Sequence, residues 1–204
     1  MLFFDSALDE LMANVAKSGL FDKRIDNGIG DNFTAALKTL QQAGITNSPD
    51  YWRNLVNEGV DNYLGQLLVN MANRCRDILE RIVWAEARGE DEKGQILVVN
   101  VIKNRLASPR YPNTLHDVIF AQGAFTPTTR ADFNDAQPNS RTISAVNRAI
   151  NGEDYSQGAT YFHSVSGIIA AELEGRQVWH ERAVAEGRLV FLFDHGNHRF
   201  YREV

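Results

Sequence analysis

Cysteine is almost missing from this chain: among 204 residues there is one, Cys75. A single cysteine excludes a disulfide framework within the chain, and it excludes a zinc site built on two or four cysteines. Positive charge is also scarce, because 21 lysines and arginines face 26 aspartates and glutamates, for a formal net charge of −5. A protein with this balance has no basic surface of the kind that nucleic acid attracts. We therefore expect no nucleic-acid partner.

Long apolar runs are missing as well. No stretch approaches the roughly 18 to 20 apolar residues that a membrane span needs. The first residues, Met1 to Ser6, have no basic residue ahead of an apolar run, and acidic residues follow at Asp9 and Glu10. This is not the pattern of a secretory signal. We expect no membrane span and a protein that is made in the cytoplasm.

The composition that is present is that of an ordinary folded domain. Apolar residues make up 44% of the chain and charged residues 23%, which is typical of globular proteins. Apolar residues repeat with helical spacing over 8–15 and 33–40, and Ser48-Pro49-Asp50 is a typical helix start. We therefore divide the chain into a small helical N-terminal module, residues 1–72, and a larger domain, residues 73–204.

The larger domain is predicted to be α+β and mainly helical, with a small sheet or hairpin late in the chain. The predicted helices run from about residue 61 into the eighties and over 95–106, 114–120 and 140–150. The predicted strands are 159–163, 189–193 and 198–201, and the last two form a hairpin.

The most informative carboxylate is that of Glu86. It follows Leu79, Ile82 and Val83 by seven, four and three residues, so a helix places it on the same apolar face. Partial desolvation on such a face raises the pKa of a carboxyl group, which suits a general acid near neutral pH. The structural alternative is an ion pair with Arg88 or with another arginine.

Short motifs between residues 78 and 202 resemble a known family. They include Trp84-Ala85-Glu86-Ala87-Arg88-Gly89-Glu90, Asn104-Arg105, Ser108-Pro109-Arg110-Tyr111-Pro112-Asn113-Thr114, Gln122-Gly123-Ala124-Phe125, Gly158-Ala159-Thr160-Tyr161-Phe162 and Gly196-Asn197-His198-Arg199-Phe200-Tyr201. In this order they resemble the SleB/CwlJ cell-wall hydrolases, which degrade spore-cortex peptidoglycan. The resemblance implies a lysozyme-like catalytic domain that cuts the glycan between N-acetylmuramic acid and N-acetylglucosamine. It also implies that Glu86 is the catalytic acid and base.

The number of carboxylates bears on the reaction. A hydrolytic glycosidase normally uses two, and the obvious companion of Glu86 is Glu90. Gly89 lies between them, and we expect Glu90 to sit in an exposed acidic run with Asp91 and Glu92. A lytic transglycosylase needs one carboxyl group, because the 6-hydroxyl of muramic acid attacks in place of water. We therefore expect a lytic transglycosylase. The alternatives are a muramidase, an N-acetylmuramoyl-L-alanine amidase, and a non-catalytic virion or wall-binding protein on the same fold.

Six further side chains are predicted to bind the substrate: Gln122, Phe125, Tyr161, His163, Asn197 and His198. The amide of Gln122 suits a hydrogen bond to an N-acetyl or peptide group. Adjacent strand residues face opposite ways, so Tyr161 is expected in the cleft and Phe162 in the core.

Histidines offer a second chemistry. His163, His195 and His198 could be assembled into a zinc site, as in a zinc amidase. A hairpin turn gives these residues no ligand geometry that the sequence can establish, and the alternative is that Asn197 and His198 brace the cleft. We therefore expect no metal and no other cofactor.

The resemblance also implies a partner and a place of action. The partner is peptidoglycan, and the missing signal favours a phage-borne protein, either a lysin released through a membrane lesion or a virion-associated enzyme with virion partners. The module at residues 1–72, with an aromatic helix near Tyr51 and Trp52, resembles helical modules of cell-wall lysins. It is expected to target the wall or to cap the catalytic domain. Residues 168–187 look longer than a family loop, which predicts an extra helical lid or packing element.

Overall fold

The structure is a computed structural model, and it describes residue 36 and residues 38–42, 62–125 and 131–204. Residues 38–42 are helical, and Thr39 and Leu40 are buried. The helices expected over 8–15 and near Tyr51 and Trp52 lie outside the described residues. The chain divides into two compact units, and the second comprises residues 42–45 and 74–204. The following description concerns mainly this second unit.

The described part of the chain is mainly helical and has a small sheet near its end, as the sequence predicts. The helices are α1 (Asn62–Ala87), α2 (Glu92–Ala107), α3 (Leu115–Phe120), α4 (Ala131–Asn134), α5 (Ser140–Ile150), α6 (Val165–Leu173) and α7 (Trp179–Ala185). The strands are β1 (Tyr161–Ser164), β2 (Leu189–His195) and β3 (His198–Glu203). Among the described residues no helix is both long and apolar enough to cross a membrane.

Helix α2 is the central element of this unit. The side chain of Asp91 caps it by accepting the N–H of Gly94 at 2.7 Å, and such a cap satisfies one of the free donors at a helix start. Residues 94–102 are all buried, as expected for a helix that is apolar on most sides. The amides of Asn100 and Asn104 donate to backbone oxygens of the loop before β1. The helix therefore fixes the position of that strand.

The three strands form an antiparallel sheet in the order β1-β3-β2. On one face, Phe162 and Phe200 pack against Leu97 and Val101 of α2. On the other face, residues of β1, β2 and β3 pack against Ala183 of α7. Alternation along the strands puts Phe162 on the α2 face and its neighbour on the α7 face, as predicted. The sheet thus lies between α2 and α7.

Two helices, α6 and α7, occupy the stretch 168–187 where an extra helical element is predicted. Helix α6 starts at Ser164, whose hydroxyl accepts the N–H of Gly167 at 3.1 Å. A Cβ at position 167 would lie 2.5 Å from that hydroxyl oxygen, so the cap requires glycine there. Helix α7 buries Ala183 against the sheet. It is therefore a packing element, and its first residue, Trp179, stays 40% exposed.

Candidate active site

Glu86 lies in the last turn of α1 and is half-buried. Leu79, Ile82 and Val83 are buried, so the carboxylate projects from the edge of the apolar face on which the sequence places it. Arg88, the partner considered from the sequence, is exposed, and its guanidinium lies 4.8 Å from the centre of the Trp84 ring. The end of α1 thus holds a carboxyl group at the boundary between core and solvent.

A buried cation lies within electrostatic range of Glu86. The Arg105 side chain, near the end of α2, donates from Nε to the backbone oxygen of Thr160 at 2.7 Å. Burial lowers the pKa of Arg105, while Tyr111, Tyr161 and the negative charge of Glu86 act in the opposite direction. Burying a charge is costly unless it is compensated. The hydrogen bond and the nearby carboxylate supply that compensation.

Aromatic rings surround the same guanidinium. Its carbon lies 4.9 Å from the centre of the Phe125 ring, 5.3 Å from that of Tyr161 and 5.5 Å from that of Tyr111. Phe125 and Tyr161 are therefore brought together at Arg105, with Phe125 buried and Tyr161 half-buried, while substrate binding by either stays a prediction. Gln122 is exposed in the turn after α3, and no described contact joins it to this cluster.

The sequence motifs give Arg105 no role, although its spacing in α2 carries a signal for one. Arg105 follows Leu97 and Val101 at intervals of four residues, so it shares their buried helix face. A basic residue at such a position must find compensation inside the fold. Helical spacing alone is therefore enough to single out Arg105.

His163 lies on the α7 side of the sheet, where it stacks against His180 with ring centres 5.1 Å apart. His180 stacks in turn on Tyr201 at 5.4 Å. Burial lowers the pKa of His163, and it lowers the pKa of His180 to about 4, with the neighbouring His163 and Arg105 acting in the same direction. Both rings are therefore neutral near pH 7 and behave as aromatic packing groups.

The hairpin turn braces the start of α6. The Asn197 side chain accepts the N–H of Ser166 and donates to its hydroxyl, both at 3.0 Å. His198 is buried against Phe162, with ring centres 4.8 Å apart, and burial lowers its pKa. Within the described residues its Nδ1 atom has no hydrogen-bond partner. These contacts fit the bracing role considered for Asn197 and His198, while substrate binding by either stays a prediction.

The expected place of Glu90 in an exposed acidic run is wrong. Glu90 is half-buried, and its carboxylate accepts the backbone N–H of Asn197 at 3.2 and 3.3 Å. A Cβ at Gly196 would lie 1.7 Å from one of its oxygens. The turn after α1 folds against a hairpin 107 positions away in the chain. Such a contact leaves no signal in the local sequence.

The next two acidic residues also have partners. Asp91 caps α2 and lies 2.8 Å from the Nε2 atom of His195. Glu92 forms an ion pair with Arg148 at 2.6 Å. The three consecutive carboxylates therefore tie the turn between α1 and α2 to other parts of the fold.

No metal-binding cluster is evident in the part of the chain that the structure describes. No group of three or more His, Cys, Asp or Glu residues there could hold a metal ion. His195 contacts Asp91, and His163 contacts the ring of His180. Cys75 is buried, and burial raises its pKa to about 11, so its thiol is protonated near neutral pH.

The fold is that of a cell-wall hydrolase domain. Residues 89–201, more than half of the chain, match the family model described as Cell Wall Hydrolase. The chain belongs to this family, and within it to the SleB/CwlJ type that the motifs predict. The matched range begins three residues after Glu86.

Curated relatives include spore cortex-lytic enzymes. The one from Bacillus subtilis (strain 168) is 39% identical over 99 residues, which are 48% of this chain and 32% of the relative. The one from Halalkalibacterium halodurans is 41% identical over 85 residues, which are 42% of this chain and 26% of the relative. The matches span about a third or less of these relatives.

Solved structures show the same fold. The catalytic domain of the Bacillus cereus SleB protein superposes with a TM-score of 0.53 at 28% identity, covering 64% of this chain and 91% of that one. The catalytic domain of the germination-specific lytic transglycosylase SleB from Bacillus anthracis gives a TM-score of 0.50 at 28% identity, covering 63% and 93%. The predicted fold class is thereby confirmed.

Proposed function

We propose that this chain cleaves peptidoglycan between N-acetylmuramic acid and N-acetylglucosamine as a lytic transglycosylase, with Glu86 as its acid and base. Membership of the cell-wall hydrolase family supports peptidoglycan as the substrate. The structural neighbour from Bacillus anthracis is itself described as a lytic transglycosylase. The observation that carries the proposal is the half-buried carboxyl group of Glu86 at the end of α1, beside buried Ile82 and Val83.

The proposed reaction uses one carboxyl group twice. Glu86 first donates its proton to the glycosidic oxygen, so that the bond to the leaving N-acetylglucosamine breaks. The carboxylate that remains is stabilised by the Arg105 charge. It then takes the proton from the 6-hydroxyl of the same muramic acid, whose oxygen bonds to C1. The product is a 1,6-anhydro end, and Glu86 is protonated again.

The contacts of Glu90 support a single-acid route over a two-carboxylate hydrolysis. A second carboxylate would have to act as nucleophile or hold a water. Glu90 accepts a backbone N–H of the hairpin with both oxygens, and Gly196 packs directly against it. This contact orients the carboxylate of Glu90 toward the hairpin. Its geometry favours a role in holding the turn.

Mass spectrometry of the fragments released from purified peptidoglycan tests the reaction type. We expect anhydromuropeptides, lighter by one water than fragments with reducing ends. Reducing muramic acid throughout would identify a muramidase, and free stem peptides would identify an amidase. Intact peptidoglycan would favour the non-catalytic wall-binding protein. Loss of activity in a chelator, with recovery on adding zinc, would contradict the metal-free mechanism.

We also propose that residues 1–72 associate with the wall or cap the catalytic domain, and that residues 73–204 carry the activity. A fragment starting near Asn73 should keep its turnover of short glycans while losing wall association or stability. A folded but inactive fragment would show that the first residues belong to the active site.

The place of action is part of the same proposal: a phage-borne lysin released through a lesion, or an enzyme of the virion. Immunodetection in purified virions separates these two. A signal there supports virion partners, and absence from virions with appearance in the medium at lysis supports a released lysin.

A further inference from the structure

Three aromatic rings form a row that starts above Arg105. The rings of Tyr111 and Tyr161 have centres 6.2 Å apart, and those of Tyr161 and Trp179 have centres 5.6 Å apart. They come from the loop after α2, from β1 and from the first residue of α7. Tyr111 and Tyr161 are half-buried, whereas Trp179 is 40% exposed. The row therefore leads from the cluster near Glu86 out to solvent.

The two tyrosines are held in place before any ligand arrives. Their hydroxyls both donate to the same carboxylate oxygen of Glu203, at 3.2 Å from Tyr111 and 3.0 Å from Tyr161. Arg110 lies 3.5 Å from the other oxygen of that carboxylate. Because the rings are already fixed, a ligand that stacks on them loses little side-chain entropy.

Trp179 is partly exposed, whereas other residues of α7 make the contacts that hold the helix on the sheet. The helix buries Ala183 against the sheet, and Val184 packs beside it. The Trp179 ring makes a tilted contact with Tyr161 and an edge contact with His180. The guanidinium of Arg188 lies over the ring, 5.3 Å from its centre. Trp179 therefore continues the rings of Tyr111 and Tyr161 as one contiguous aromatic surface that reaches solvent.

We propose that Tyr111, Tyr161 and Trp179 form a glycan subsite, in which Trp179 stacks on an N-acetylhexosamine one or more sugars away from the bond that is cut. The inference rests on the proposed function, since it makes the row an extension of the site around Glu86. Arg105 connects the two, because it lies beneath Tyr111 and Tyr161 and is within electrostatic range of Glu86.

The chemistry of the row favours the glycan over the stem peptide. Both tyrosine hydroxyls already donate to Glu203, so the row offers mainly ring surface. The C–H face of a pyranose needs only such a surface. An extended peptide exposes backbone N–H and C=O groups that require hydrogen-bond partners.

Binding of a defined oligosaccharide tests the subsite separately from catalysis. The probe is chitotetraose, which has the β-1,4 linkage and the acetamido groups of the glycan, and the readout is calorimetric titration of the full chain. Trp179→Ala should weaken binding about tenfold, since one aromatic contact is worth roughly one such step. Trp179→Phe should keep most of the affinity. The control is Leu173→Ala, which truncates a side chain on α6 that is 85% exposed and should change nothing.

Turnover of purified peptidoglycan gives the second readout. Trp179→Ala should raise KM by about tenfold at nearly unchanged kcat, because the stacked sugar is bound equally in the ground state and the transition state. Unaltered chitotetraose affinity in a folded Trp179→Ala protein would overturn the subsite, as would absence of binding by the unchanged chain. If Trp179→Ala loses affinity but the products are free stem peptides, the subsite stands and the transglycosylase proposal falls.

Discussion

Two glutamates four residues apart illustrate how differently this fold uses the same side chain. Glu86 closes a long helix, beside buried Ile82 and Val83 and within electrostatic range of Arg105. Glu90 lies beyond the helix end, where its carboxylate accepts a backbone N–H of the hairpin. The first is placed by helical periodicity, and the second is placed by a contact with a distant segment.

The difference shows that the turn at the end of α1 gives these two carboxylates different surroundings and different roles. Had the helix continued, position 90 would have shared the face of Glu86, because residues four apart are neighbours on a helix. The turn at Arg88 and Gly89 instead directs Glu90 toward Asn197. One carboxylate is thereby left for reaction and the other holds the hairpin, which is the contrast that the following variants test.

Glu86→Gln should have the largest effect. Glutamine keeps the shape of the side chain but can neither donate nor accept the catalytic proton, so turnover of purified peptidoglycan should fall by about 10²–10⁴-fold. Stability should fall only modestly, because Arg105 loses one compensating charge but keeps its hydrogen bond to Thr160 and the nearby carboxylate of Glu203. Near-normal turnover in a well-folded Glu86→Gln protein would remove Glu86 from the mechanism.

Gly196→Ala should have the next largest effect, on stability. The backbone at this position has φ +57°, and the added Cβ would lie 1.7 Å from a carboxylate oxygen of Glu90. The carboxylate must leave the N–H of Asn197, so we expect a loss of about 2 kcal/mol in the free energy of unfolding by urea.

Gly187→Ala is the matched control, because its φ is +70° and no atom lies near the added Cβ. It should cost only the backbone strain, about 1 kcal/mol. Equal losses for the two glycine variants would mean that the contact with Glu90 contributes nothing. In Glu90→Ala the further cost of Gly196→Ala should shrink toward that of the control, since the clash is gone.

Glu90→Gln should have a smaller effect. The amide oxygen can still accept the N–H of Asn197, but without the charge that strengthens this hydrogen bond. We expect a loss of about 1 kcal/mol in stability and turnover within a few-fold of the unchanged protein. A folded but inactive Glu90→Gln protein would move the catalytic assignment four residues along the chain.

Asp91→Asn should have the smallest effect, a loss of stability that depends on pH. Asparagine caps a helix as well as aspartate does, so the substitution removes mainly the charge that faces His195. The hydrogen bond with His195 holds the pKa of Asp91 below its ordinary value. The charged carboxylate therefore stabilises the folded protein at any pH above the ordinary pKa, and this stabilisation is lost as the pH falls through the lowered pKa.

The Asp91 pair is exposed, and such pairs contribute about 0.5 kcal/mol or less. Denaturant unfolding of the two proteins at pH 6 should show that difference, and the curves should converge well below pH 3.8. A difference that persists at the lower pH would indicate that the carboxylate acts through its cap and not through its charge.

The sequence predicts the features that depend on local spacing. Helix α5 has the predicted ends, the hairpin around Gly196 is present, and Tyr161 and Phe162 face opposite sides of the sheet. The half-buried position of Glu86 follows from the same periodicity. Predicting these features requires only the spacing of apolar residues in a helix, their alternation in a strand and a glycine in a turn.

The remaining features depend on contacts between distant segments. The partner of Glu90 is 107 positions away, and the row of rings joins residues 111, 161 and 179 through three elements. A glycine in the hairpin turn signals a special backbone, but it does not indicate which side chain approaches it. Tertiary packing decides those pairs, so they could not be predicted from local spacing.

Helix α2 connects the Glu90 contact with the aromatic cluster around Arg105, and this limits which sequence changes the helix tolerates. Its first turn is capped beside the Glu90 contact, and its last turn carries Arg105 beneath the rings. Its sixteen residues span about 24 Å, so the length of the helix sets the distance between these two places. Inserting one residue would rotate Arg105 by about 100° around the helix axis and take it away from its rings. Side chains along α2 can therefore be exchanged for others of similar volume, whereas the number of residues in the helix has to stay constant.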